Sequence, residues 1–153
     1  MPPQRAWTDA HEEDGSASLE FITAGMILLV PLVYLVLVMS ALQGGALAVE
    51  GAARQAARVY VQADDEAGAR EAADVAIRFA LADYGFEDSR VATRVDCSPD
   101  PRDCLRRLGI VTVTVRVSVA LPLVPQVLDL SVPLEVPLET AATQQVSRFR
   151  GAG

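Results

Sequence analysis

The chain has 153 residues, of which 51% are hydrophobic and 22% charged, with a formal net charge of −7. That length allows one membrane span and one small domain, and the mixture excludes both a polytopic membrane protein and a disordered tail. All thirteen basic residues are Arg, and an acidic balance without a dense basic patch argues against nucleic acid as a partner, because phosphate binding needs clustered positive charge.

The single histidine, His11, lies in the polar N-terminal stretch, which argues against a Ser–His triad or a His-rich metal centre. No GxGxxG, P-loop, HExxH or GxSxG pattern occurs. The expectation is a non-enzymatic chain with no metal and no cofactor.

Residues 1–15 are hydrophilic, and one Arg (Arg5) against Asp9, Glu12, Glu13 and Asp14 leaves them at −3. An uncharged run follows from Phe21 to Val49, densest over 21–42 ("FITAGMILLVPLVYLVLVMSAL"). As a helix those 22 residues cover about 33 Å, matching a hydrocarbon core of roughly 30 Å. A transmembrane helix is therefore expected over 16–43, with membrane lipid as its surroundings. Pro31 in its middle removes one backbone hydrogen bond, which membrane helices tolerate, either as ordinary usage or as a flexible point for packing.

A cleavable secretory signal is the rival reading, and Ala46-Leu47-Ala48 offers a small-x-small site. Against it stand an apolar run much longer than a signal core and an acidic, not basic, n-region. For orientation, Arg54 and Arg58 behind the span favour a cytoplasmic C-terminus, but long domains translocate regardless of such counts. Two cysteines in the trailing domain favour an oxidising exterior. The expectation is a single pass in the cytoplasmic membrane, N-terminus inside and C-terminal domain outside.

At the mouth of the run stands "DGSASLEF", residues 14–21. A carboxylate at Glu20 in lipid or in a helix bundle needs a cationic partner, and none follows it until Arg54. The plain alternative is a carboxylate favoured by the helix dipole in the first turn. A hydrophilic leader ending in Gly15, then Ser16, then Glu20-Phe21 before a membrane run resembles the processing site of type IV prepilins, especially of the Flp and TadE-like pseudopilins.

That resemblance implies cleavage by a membrane prepilin peptidase between Gly15 and Ser16. Glu20 becomes the fifth mature residue and Phe21 the sixth. The new α-amino group at Ser16, largely protonated at neutral pH, then meets Glu20 of its own or a neighbouring subunit and registers subunits. Prepilin leaders usually carry basic residues before the Gly, and here the leader is acidic ("DAHEEDG"). The partners implied are other pilins or pseudopilins and inner-membrane pilus assembly proteins. The function implied is pilus biogenesis or associated secretion of the Flp/Tad (tight adherence) kind, in which the chain has no catalytic role.

Beyond the bilayer, residues 44–62 are read as a membrane-proximal extension of the helix. Ser40, Gly44, Ala48, Ala52 and Ala56 recur every four residues and form a small-residue ridge suited to helix packing. Alternatively, the alanines are simply good helix formers. Gly44-Gly45 offers a place to bend.

Residues 63–147 are expected to form an extracytoplasmic α+β domain, pilin-like in its layout of helices on a sheet. Within it, 63–85 reads as a second helix, capped by Asp64 or Asp65 and stopped at Gly85. Its apolar face is read as Ala72, Val75, Ala76, Phe79 and Ala80, with Arg70, Glu71, Asp74 and Arg78 in water. The period then changes to two. Residues 91–97 form a short strand, and in 109–121 Val111, Val113, Val115, Val117 and Val119 share one side. A further strand runs from Leu128 to Glu139 with Leu128, Leu130, Val132, Leu134, Val136 and Leu138 inward; Pro133 and Pro137 confine it to a sheet edge.

"CSPDPRDC" joins two strands, so that Cys97 and Cys104 close a hairpin loop as a disulfide, contributing about 2–3 kcal/mol. The alternatives are a metal site with Asp96, Asp100 or Asp103, or a redox pair. Two thiolates without His are too few for zinc, and C-x6-C is not the redox spacing. The end, 148–153, is read as a flexible tail, in which Arg148, Phe149 and Arg150 match an Arg-aromatic-Arg ending of TadE-like proteins and are candidates to dock.

Overall fold

A computed structural model describes residues 13–87, 89–120 and 135–151. The fold is α+β: helices α1 (Glu13–Tyr60) and α2 (Glu66–Ala82), then strands β1 (Val91–Ser98), β2 (Ile110–Ala120) and β3 (Glu135–Gln145). The chain divides into two compact units, with the boundary between Met39 and Ser40 inside α1. In the first unit the described residues are wholly helical, and α1 runs through Pro31.

In the second unit the sheet is antiparallel with order β1-β2-β3. β2 is central, and its five odd-numbered valines, 111 to 119, are at most 2% exposed while the intervening residues are not buried. β1 pairs Val91 with Val117 through to Ser98 with Ile110, and β3 pairs Glu135 with Ala120 through to Gln145 with Ile110. The registered pairs Thr112–Thr143, hydroxyls 3.1 Å apart, and Arg116–Glu139, 3.6 Å apart, lie on the outward face. On β1 the exposed Arg94 donates to Asp96 through Nη2 at 2.8 Å; that hydrogen bond and the carboxylate's charge raise the guanidinium pKa.

The phase expected for Val136 and Leu138 holds, and Pro137 sits on an edge strand, where a missing N–H does not break a central ladder. The strand, however, continues to Gln145. Thr140-Ala141-Ala142-Thr143 has too little hydrophobic contrast to announce a strand, and it is held by pairing along the whole length of β2. The part of the expected strand over 128–134 lies outside the described residues.

The core gathers the second half of α1 (Ala48, Val49, Ala52, Ala53, Ala56, Ala57, Tyr60), α2, the β2 valines, Leu105 and Val146. Asp65 is the N-cap of α2, its Oδ1 accepting from the Gly68 N–H at 2.8 Å. Gly85, with φ +76°, ends it: the Phe86 N–H donates to the Leu81 carbonyl and the Gly85 N–H to that of Ala82, each at 3.0 Å. This is a Schellman turn, which any residue with a Cβ adopts only under strain.

The apolar face expected on α2 is corrected. Ala69, Ala73, Ile77 and Leu81 are buried; Ala72, Ala76 and Ala80 are half-buried; Val75 and Phe79 are exposed, Phe79 by 72%. Both stripes are apolar in sequence, so composition alone does not choose between them. Packing in the folded unit does: Ile77 and Leu81 join the core cluster with the β2 valines, and Phe86, just beyond the Schellman turn, packs against it.

Candidate functional site

Every residue from Ala17 to Leu37 is solvent-exposed, including Phe21 (80%), Leu28 (73%) and Ile27 (71%). Burying one such side chain contributes about 1.5–3 kcal/mol, and a continuous apolar cylinder of this size is not sustained in water. The helix is long and apolar enough to cross a membrane, and none of its most apolar stretch is buried by the rest of the chain.

Glu20 and Phe21 lie at the start of this cylinder, both exposed. Among the described residues no cation lies within ion-pair distance of Glu20. The backbone is helical from Glu13, so the Gly15–Ser16 peptide bond falls in the first turn. Ser16 precedes Glu20 by four residues, and helical positions at that spacing are neighbours on one face. An amino group created at Ser16 would thus be within about one helical turn of the carboxylate.

The small-residue ridge divides. Ser40 is exposed and Gly44 half-buried, whereas Ala48, Ala52 and Ala56 are at most 1% exposed and belong to the domain's own core. Those three alanines are therefore not a surface for a second subunit. Gly45, which sequence reasoning considered only as a bend, is buried. A methyl group there would lie 2.8 Å from both Leu138 Cδ1 and Val119 Cγ2, so the sheet approaches the helix backbone at this point. The Gly-Gly pair was the available signal.

Cys97 and Cys104 form the expected disulfide between β1 and the loop leading to β2. Sequence reasoning missed what the loop does next: the Cys104 N–H donates to Glu66 Oε1 at 3.1 Å, tying it to the first turn of α2.

The C-terminal segment also departs from expectation. Val146 is buried, its N–H donating to Gly109 O at 2.8 Å and its carbonyl accepting from the Leu108 N–H at 3.2 Å. The Arg150 guanidinium donates to the carbonyls of Val61 (3.2 Å), Asp64 (3.0 Å) and Ala63, and the Arg150 carbonyl accepts from Arg107 Nε at 2.7 Å. Residues 148–150 are anchored and not a free tail, because the Val61, Ala63 and Asp64 carbonyls of the turn after α1 take their donors from the five-donor Arg150 guanidinium. Residues 152–153 lie outside the described residues.

No protein-family model, no curated protein and no solved structure matches this chain.

Proposed function

We propose that this chain is a non-catalytic, single-pass membrane pseudopilin of TadE-like type, acting in pilus biogenesis or associated secretion of the Flp/Tad kind. One observation carries the reading: Gly15-Ser16 and Glu20-Phe21 stand immediately before an exposed, uncharged helix of membrane length. The motif alone is weak. Its position at the head of a bare apolar helix gives Glu20 a physical task, since a carboxylate at a lipid boundary needs a cation and a new N-terminus at Ser16 is the nearest source. The disulfide supports an exterior domain, as such bonds persist in oxidising compartments.

A second reading, a membrane anchor presenting an envelope-binding domain unrelated to pili, is favoured by the acidic leader and by a helix that begins before the cleavage position. Release by signal peptidase is not carried forward, because cutting after Ala48 would sever a helix whose Ala48 and Val49 are core residues.

Mass spectrometry of the native N-terminus tests the proposal. Ser16 is expected as the first residue; Met1 or Pro2 would replace the pseudopilin with the plain anchor, and a start near Val49 would restore the secreted module.

A further inference from the structure

Five arginines, Arg102, Arg106, Arg107, Arg148 and Arg150, gather where β2 begins and β3 ends, since the 99–109 loop and residues 146–150 are tied together by the Val146–Gly109, Leu108–Val146 and Arg107–Arg150 hydrogen bonds. Among the described residues none of the five meets a carboxylate; the ion pairs use Arg54, Arg70, Arg94 and Arg116 instead. Phe149 projects from this end, 79% exposed, with the Arg148 guanidinium 4.6 Å from its ring centroid. Its backbone is held on both sides: its N–H donates to Ser147 Oγ at 3.1 Å, and Arg150 beyond it is anchored through its guanidinium. An exposed aromatic on an anchored backbone, beside an arginine, has the composition of a binding hot spot.

On another part of the same unit a groove of about 310 Å³ opens between α2 and β1, lined by Arg70, Ala73, Asp74, Thr93 and Val95. The groove is open to solvent on one side, and its volume exceeds the roughly 150 Å³ of an enclosed cavity that holds a benzene ring. Ala73 is buried and Val95 half-buried, giving an apolar floor, while Asp74 on the rim has no cation within ion-pair distance among the described residues. Asp64, Asp100 and Asp103 share the arginine-rich end, so the complementarity is between individual groups and not of bulk charge.

We propose that copies of this chain bind one another through these two features: Phe149 of one copy seats in the α2–β1 groove of a second, against the Arg70 guanidinium, and Arg148 pairs with Asp74. Knob and groove occupy different parts of the surface. The contact is therefore heterologous, leaving a free knob on one copy and a free groove on the other. The inference does not depend on processing at Gly15, and an intact N-terminus would leave it standing.

The test places photoreactive benzoylphenylalanine at position 149 of the full-length chain in membranes. Irradiation is expected to give an adduct of twice the chain mass, with the crosslinked peptide mapping to residues 70–74 or 93–95. Arg148→Asp is expected to lower its yield about fivefold, the worth of one surface ion pair near 1 kcal/mol, and Asp74→Arg in the same chain to restore it. Both positions are exposed, and a wild-type thermal melting temperature in each variant reports that the domain has folded. An adduct mapping to the apolar helix, an adduct with lipid or another protein, no adduct, or indifference to Arg148→Asp would each overturn the proposal.

Discussion

The Arg150 guanidinium donates to the Val61 carbonyl at 3.2 Å across 89 residues of sequence, so one side chain near the C-terminus holds the turn that follows the helix begun near the N-terminus. The same group reaches Ala63 and Asp64, and its positive charge lies where the helix dipole is negative. Arg150→Ala should therefore destabilise the domain by about 1.5–3 kcal/mol, the range for hydrogen bonds to a charged group. Arg150→Lys should recover only part, since an ammonium lacks the planar fork. Denaturant unfolding of the purified chain in detergent is the check, and wild-type stability in Arg150→Ala would show the anchor to be decorative.

Adjacent glycines should respond in opposite directions. Nothing lies within 4 Å of a methyl group on Gly44, so Gly44→Ala should stabilise α1 by about 0.5–1 kcal/mol through helix propensity alone. Gly45→Val would drive branched carbons into Leu138 and Val119 and should destabilise by about 1–3 kcal/mol. Matching shifts of one sign in thermal melts would contradict the close approach at Gly45.

The corrected face of α2 gives a sharper contrast. Ile77 is 2% exposed and Phe79 is 72% exposed. Ile77→Ala should cost about 2–5 kcal/mol and Phe79→Ala no more than about 0.5 kcal/mol, although Phe79 is the larger side chain. The reverse ranking in a denaturant series would restore the face read from composition.

For the disulfide, replacing both Cys97 and Cys104 by Ala should lower stability by about 2–3 kcal/mol. It should also loosen the loop that brings Cys104 to Glu66. Protein isolated without reductant should take up no alkylating reagent until it is reduced, and then two equivalents. Immediate alkylation of native protein would place the domain in a reducing compartment.

Glu20→Ala should leave the protein folded and in the membrane, because Glu20 is not part of the core cluster, but should impair assembly with pilus components. Co-purification of other pilins and counting of surface pili would measure this. Normal piliation would remove the role assigned to Glu20.

Residue order already contained the apolar span, the alternation of β2, a cap at Asp64 or Asp65 (the fold uses Asp65), the stop at Gly85 and the cysteine pair. Each is a local signal: periodicity, a capping side chain, a backbone angle reserved for glycine, or two thiols brought together by a short turn. These set the kinds of elements because they act over one or two turns of chain. Which stripe of α2 is buried, how far β3 extends and where Arg150 anchors were decided only in the folded unit. In each case the sequence offers near-equal local options, and the choice falls to contacts between residues tens of positions apart: Ile77 over Phe79 in the shared core, Thr143 opposite Thr112, and Arg150 on the carbonyls that follow Tyr60.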